Sequence, residues 1–222
     1  MVDMFPVLRV LGILVMIFSL SMGLPLAVSL WTGDGVWHVY PLAMAGTLAA
    51  GAWLWWRLRL FRQELQPHHG VMLVSLVWML LPLFSTVPLM LAAHHIGRPM
   101  SFTHAYFEAV SGLTTTGSTV LVGLDTLPVS VNVWRTFLQW MGGMGILILA
   151  VAVLPRLGVG GSQLFKAEAA GPLKDTKLTP RMTGTAKGLW GVYALFSTLC
   201  GVAYWAAGMA PLDALMHMFS TV

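Results

Sequence analysis

Phe107-Glu108-Ala109-Val110-Ser111-Gly112-Leu113-Thr114-Thr115-Thr116-Gly117-Ser118-Thr119 is the stretch on which the fold turns. It belongs to an apolar and aromatic run, residues 101–112, of about a dozen residues. That is too short to cross ~30 Å of hydrocarbon, which takes about 20 residues of helix. Three threonines and a glycine follow, and then more apolar residues as far as Leu127-Pro128. The runs on either side, 65–97 and 136–155, carry no Asp, Glu, Lys or Arg. Basic segments lie beyond each of these runs. Both belong on one side of the bilayer, so the two spans are antiparallel and the segment between them starts and finishes on the other side. A short helix that dips in and returns as extended chain satisfies this. Non-helical backbone at membrane depth is tolerated only where protein buries it or where it lines a water-filled path. The pattern predicts a helix–pore loop–helix unit.

The rest of the chain is consistent with a lipid-facing exterior. Hydrophobic residues make up 57% of the 222 positions and charged ones 9%, against about 25% charged in soluble domains. Five stretches lack charge for a membrane-spanning length: 10–33, 35–56, 65–97, 136–155 and 188–212. The first exceeds the 7–15-residue core of a secretory signal, and Trp31-Thr32-Gly33 offers no small-x-small cleavage site, so it reads as a retained helix. Pro82 and Pro88 predict kinks in the third span. With the N-terminus cytoplasmic, ten cations fall inside (Arg9, Arg57, Arg59, Arg62, Arg156, Lys166, Lys174, Lys177, Arg181, Lys187) and two outside, Arg98 and Arg135. That bias orients the chain. The net charge of +4 is therefore topogenic, and nucleic acid is not an expected partner. Cys200, the single cysteine, has no intrachain disulfide partner.

Thr114, Thr115, Thr116 and Gly117 suit a narrow path lined by backbone carbonyls, neutral dipoles able to replace a cation's hydration shell. Gly117 allows a positive φ, turning a carbonyl where a Cβ would clash. The preceding short helix points its partially negative carboxyl end toward the membrane centre. No acid lies between Glu108 and Asp125, which favours carbonyl coordination of a weakly hydrated monovalent ion over a carboxylate ring. Threonines also bond their hydroxyls to helix carbonyls inside bundles, so position carries more weight than composition. Glu108 is read either as a charge that concentrates cations or as a buried support for the loop backbone. The cost of a bare carboxylate at such depth favours support. A partial repeat adds to the pattern: shifted by 109 positions, Ala214 falls on Ala105 and Ser220 on Ser111. Pro211 suits the first turn of a second short helix. Ser111 and Ser220 join Glu108 as candidate supports, and Val222 falls at the edge of a second filter segment.

Phe107 to Thr119, Gln139-Trp140-Met141-Gly142-Gly143-Met144-Gly145-Ile146, Leu154-Pro155-Arg156-Leu157-Gly158-Val159-Gly160-Gly161 and the run from Gly171 to Arg181 together resemble the TrkH-type subunit of the Trk/Ktr potassium transporter superfamily. The resemblance runs over essentially the whole chain. It implies an all-α integral membrane protein of helix–pore loop–helix repeats of potassium-channel type, four around one pore, preceded by two additional N-terminal transmembrane helices. On that plan residues 1–65 are the additional helices and 66–157 the first repeat. Residues 158–185 form a basic cytoplasmic loop, and 186–222 open a second repeat, about half the family's length being absent. The carbonyls of Thr115 and Thr116 become the expected potassium ligands. The resemblance further implies a bacterial inner-membrane location, a homodimer and a cytoplasmic nucleotide-binding regulatory subunit of TrkA type. Potassium is expected as substrate, with no cofactor and no covalent chemistry. One repeat and part of another cannot close a fourfold pore, so residues 1–222 alone are expected not to conduct.

Other features carry less. Gly142, Gly143 and Gly145 are read as close-packing positions or a hinge. Gly158, Gly160 and Gly161 do not make a dinucleotide fingerprint, since Gln163 stands at its last position and no strand precedes it. Arg135 is expected to snorkel to the outer interface. The filter lacks the second glycine of Thr-Val-Gly-Tyr-Gly, which leaves a less selective, sodium-permeant pathway as the alternative. A membrane redox or metal enzyme using the pairs His68-His69 and His94-His95 is a different class. It is disfavoured because the pairs sit at span ends with no HExxH or cysteine cluster.

Overall fold

Long apolar runs leave the backbone no partner in lipid but itself, and helix is the outcome. The computed structural model describes residues 4–60, 67–153 and 179–222, and all regular structure among them is helical. In order the helices are α1 (Phe5–Ser21), α2 (Gly23–Thr32), α3 (Val39–Leu58), α4 (Pro67–His95), α5 (Phe102–Leu113), α6 (Val129–Val153), α7 (Thr179–Ala206) and α8 (Pro211–Thr221). Among the described residues three segments are long and apolar enough to cross a membrane: Phe5–Thr32, His69–His95 and Lys187–Ala206. The helices α3 and α6, richer in glycine, tryptophan or polar residues, occupy the other two expected stretches. The expected basic loop, with Gly158, Gly160 and Gly161, lies largely outside the described residues.

The chain forms two units, 1–139 and 140–222. In the first, α1 and α3 run antiparallel at backbone contact. A Cβ on Gly12 would stand 2.9 Å from the Gly51 carbonyl oxygen and the Trp55 nitrogen, and one on Gly51 would stand 2.7 Å from the Gly12 carbonyl. The first span is interrupted at Met22, where Pro25 deprives the Ser21 carbonyl of its helical donor. Trp134 of α6 is fully buried, its ring 6.0 Å from that of Phe18 on α1 and its Nε1 donating to the Ser85 carbonyl of α4 at 3.4 Å. Tyr106 of α5 donates from its hydroxyl to the Met79 carbonyl of α4 at 3.1 Å. Both carbonyls sit one residue past those that Pro82 and Pro88 leave without donors, so neighbouring helices reinforce α4 where proline weakens it.

The helix α6 starts at Val129, ahead of the charge-free run 136–155, because its polar first turn is satisfied. Asp34, in the turn between α2 and α3, accepts from the Ser130 backbone N–H at 3.0 Å, from the Val36 N–H at 3.3 Å and from the Ser29 hydroxyl. The Tyr40 hydroxyl donates to Ser130 Oγ at 2.8 Å, and Asn132 donates to the Leu124 carbonyl at 2.8 Å. Partial burial acts to raise the Asp34 pKa, but the hydrogen bonds from Ser130, Ser29 and Val36 outweigh it and hold the carboxyl below its ordinary value.

In the second unit Trp140 is the hub. Its Nε1 donates to Ser197 Oγ at 2.9 Å, its carbonyl accepts from the Tyr193 hydroxyl at 2.9 Å, and its ring packs 5.7 Å from Phe219 of α8. Gly208, at φ 96°, ends α7 and redirects the chain into α8, much as Gly97, at φ 72°, redirects α4 toward α5. In both places a reverse bond closes the helix: Arg98 N–H to the Ala93 carbonyl at 2.9 Å, and Met209 N–H to the Tyr204 carbonyl at 3.2 Å. The order long helix, glycine reversal, short helix therefore occurs twice, in α4 to α5 and in α7 to α8.

Candidate cation-binding site at the end of α5

The helix α5 begins where the Ser101 hydroxyl accepts from the His104 N–H at 3.3 Å, and it runs its apolar face inward with Ala105, Ala109 and Gly112 buried. Small residues are needed there: a Cβ on Gly112 would meet Leu138 Cβ of α6 at 3.0 Å. At its other end the chain does not pass straight into an extended segment. Thr114 and Thr115 form a turn on the helix terminus, and neither helix nor strand follows until the short 3-10 turn Leu124–Thr126.

That turn sorts donors from acceptors. The N–H groups of Thr114, Thr115, Thr116 and Gly117 donate back to the carbonyls of Val110 (2.8 Å), Gly112 (2.9 Å), Ser111 (2.9 Å) and Ser111 again (3.4 Å). The sign of φ alternates: Thr114 lies at −85°, Thr115 at 56° and Gly117 at 71°, with Thr116 negative. Alternation of this kind gathers successive N–H groups on one concave side, here the side facing α5. The carbonyls of residues 114–117 accept no hydrogen bond among the described residues, and all four residues are exposed. Such a row of unpaired carbonyl dipoles is suited to a cation. For Gly117 a positive φ is ordinary. For β-branched Thr115 it is an outlier, of a kind that persists only when the surroundings over-determine it.

Those surroundings are specific. The Thr114 hydroxyl bonds the Val110 carbonyl at 2.8 Å and lies 2.8 Å from the Thr116 hydroxyl. Ser111 donates from its hydroxyl to the Ser118 carbonyl at 2.6 Å. Glu108, with its side chain 2% exposed, accepts from the Val120 N–H and the Thr119 hydroxyl at 2.6 Å each. Its other oxygen accepts from Arg135 Nε at 2.9 Å, and Arg135 Nη2 donates to Thr119 Oγ1 at 2.9 Å. Arg135 therefore does not snorkel outward. Its side chain is 13% exposed and locked between the short helix and the returning segment. The return path is tied down by Arg98, which donates to Thr126 Oγ1 at 2.8 Å beside the reversal at Gly123.

The family model for TrkH, described as a cation transport protein, matches residues 40–222. The chain belongs to the TrkH family. Among its relatives, the Trk system potassium uptake protein TrkH of Halomonas elongata is 50% identical over 97% of this chain and 44% of that protein. The protein of the same name from Escherichia coli strain K12 is 45% identical over 96% of this chain and 44% of its own length. The crystal structure of the potassium transporter TrkH from Vibrio parahaemolyticus superposes with a TM-score of 0.83 at 39% identity, covering 98% of this chain and 42% of that one. The chain thus spans less than half the length of these TrkH relatives, and it shares their all-helical membrane fold.

Of the residues singled out in the sequence, Glu108, Ser111, Thr114, Thr115, Thr116 and Gly117 come together around the end of α5. Ser220 and Val222 sit at the end of α8 in the second unit, where Ser220 donates to the His217 carbonyl of its own helix at 3.1 Å and the Val222 N–H bonds the Met218 carbonyl at 3.2 Å. Sequence reasoning missed Thr119 and the pairing of Arg135 with Glu108. The signal was present: an acid and a cation both fall in the apolar region, and each is costly there without the other. The histidine pairs form no candidate metal cluster of three or more ligands among the described residues.

Proposed function

We propose that this chain contributes part of a potassium uptake transporter, in which the carbonyls of residues 114–117 form one wall of a selectivity filter. The observation that carries this reading is the division of backbone groups at the end of α5, every N–H from Thr114 to Gly117 turned into the helix and every carbonyl left free. That relatives at 45–50% identity are named potassium uptake proteins supports the choice of ion. In this reading Ser111 and Glu108, held by Arg135, fix the loop so that carbonyl spacing does not collapse. Ser220 and Val222 belong to the corresponding part of a second repeat. Further repeats complete the pore.

The ten-to-two distribution of cations supports a cytoplasmic N-terminus in a bacterial inner membrane. Cytoplasmic basic residues such as Lys187 supply contacts for a nucleotide-binding regulatory subunit of TrkA type, and the working assembly is a homodimer. Potassium is substrate here, and no cofactor enters the mechanism. The filter lacks a second glycine after Gly117, which favours modest discrimination against sodium as a second reading. Reversal potentials of a reconstituted transporter that holds all its repeats, in mixed potassium and sodium salts, test both. A strong potassium preference that Thr115 and Thr116 substitutions degrade supports the filter, equal permeability supports the second reading, and no cation flux removes both.

A further inference from the structure

We propose that His38 and His95 form a two-histidine site for a borderline divalent transition ion, with Zn2+ the reference case. His38 is the residue that caps α3, and His95 is the last residue of α4. Their rings lie 4.6 Å apart between centroids, at 70° to one another. An ion bound by one nitrogen of each ring at ~2.0–2.1 Å in a tetrahedral arrangement sets the ring centres about 5 Å apart. The observed spacing is close to that value.

The placement is preorganised. Val36, Val39 and Tyr40 around His38 are at most 2% exposed, and Ala92 below His95 is 1% exposed. Both backbones are thus anchored while both imidazoles face solvent. Neither ring makes a hydrogen bond among the described residues, so the ring nitrogens are available. Imidazole is the commonest protein ligand for such ions, and water completes the shell. Asp34 is not a third ligand, since its oxygens are committed to Ser29, Val36 and Ser130. His94 projects about 100° around the helix from His95 and does not converge on the site. A bound ion would tether the turn before α3 to the end of α4, next to the Gly97 reversal that leads into α5.

The test is a Zn2+ titration of the full purified protein against a chromophoric chelator, with thermal unfolding followed in parallel. One saturable site per chain is expected. Its affinity should fall at least tenfold in His38→Ala and in His95→Ala, and hold in His94→Ala and in the His68→Ala/His69→Ala pair. Zn2+ should raise the unfolding temperature of the parent and leave that of the two affected variants unchanged. His38→Gln and His95→Gln, which keep side-chain bulk, should repeat the loss. Absence of saturable binding, or binding indifferent to His38 and His95, would show that the rings only pack against one another and would overturn the proposal.

Discussion

Glu108→Ala removes a carboxylate that holds three donors at once, and the structure sets the size of the loss. The Arg135 side chain, 13% exposed and bonded to Glu108 at 2.9 Å, is left as an uncompensated charge, a situation that costs about 3–5 kcal/mol. The Val120 N–H and the Thr119 hydroxyl lose their acceptor in the same step. Glu108→Gln keeps the shape and one acceptor oxygen while removing the charge, so its expected cost is smaller, about 1.5–3 kcal/mol. Arg135→Ala strands the carboxylate instead, yet in the Glu108→Ala background it should cost little more. The cycle is therefore strongly non-additive, with a coupling of about 0.5–3 kcal/mol. Denaturant unfolding of the purified protein in detergent measures all four corners, and rubidium uptake in competition with sodium reports whether residues 114–120 keep their shape. The reasoning fails if Glu108→Ala falls within about 0.5 kcal/mol of the parent, the range of an ordinary surface substitution. It fails equally if the cycle is additive.

Gly12→Ala should destabilise the contact of α1 with α3 by about 1–3 kcal/mol, since the new methyl would stand 2.9 Å from backbone atoms of Gly51 and Trp55; the unfolding midpoint checks this. Asp34 is pulled upward by burial but held below its usual pKa by its hydrogen bonds. A depressed folded pKa stabilises above the unfolded value, about 3.9, and that stability is lost as pH falls through the folded value. The stability gap between parent and Asp34→Asn should accordingly be constant above about pH 5 and close in acid. Thr115→Gly removes a left-handed β-branched residue, a relief of about 1–2 kcal/mol, and should raise stability while loosening potassium selectivity in mixed-salt flux. Gly117→Ala has room, with Gln139 Nε2 as the nearest neighbour at 3.8 Å. Its cost of about 1–2 kcal/mol is set by φ 71° and should appear as lost stability together with lost selectivity.

Much of the architecture was legible because hydropathy and charge act over whole segments. The absence of charge over 65–97 and 136–155, with a run too short to span between them, sufficed to place α4, α5 and α6. Helix starts were less legible: Ser130 looks like linker until Asp34, almost a hundred residues earlier, is known to accept from its N–H, and Asn132 until its side chain is found on the Leu124 carbonyl. The break at Met22 follows from Pro25, which tolerates more than one outcome in a long apolar run. Within the site, the threonines and Gly117 stood out by type and position. The φ of Thr115 did not, because nothing in its chemistry asks for a left-handed backbone. Arg135 was misread because an arginine near a span end has two ways to avoid lipid, and only the fold reveals that Glu108 lies within reach.

Rubidium uptake into cells lacking their own potassium uptake tests the central claim most directly, comparing the full-length parent transporter, all repeats present, with its Gly117→Ser version at matched membrane levels. If the carbonyls of residues 114–117 line the ion path, the substitution lowers flux or lets sodium compete. Unchanged uptake and unchanged selectivity would reduce Gly117 to a turn residue and place the ion path elsewhere.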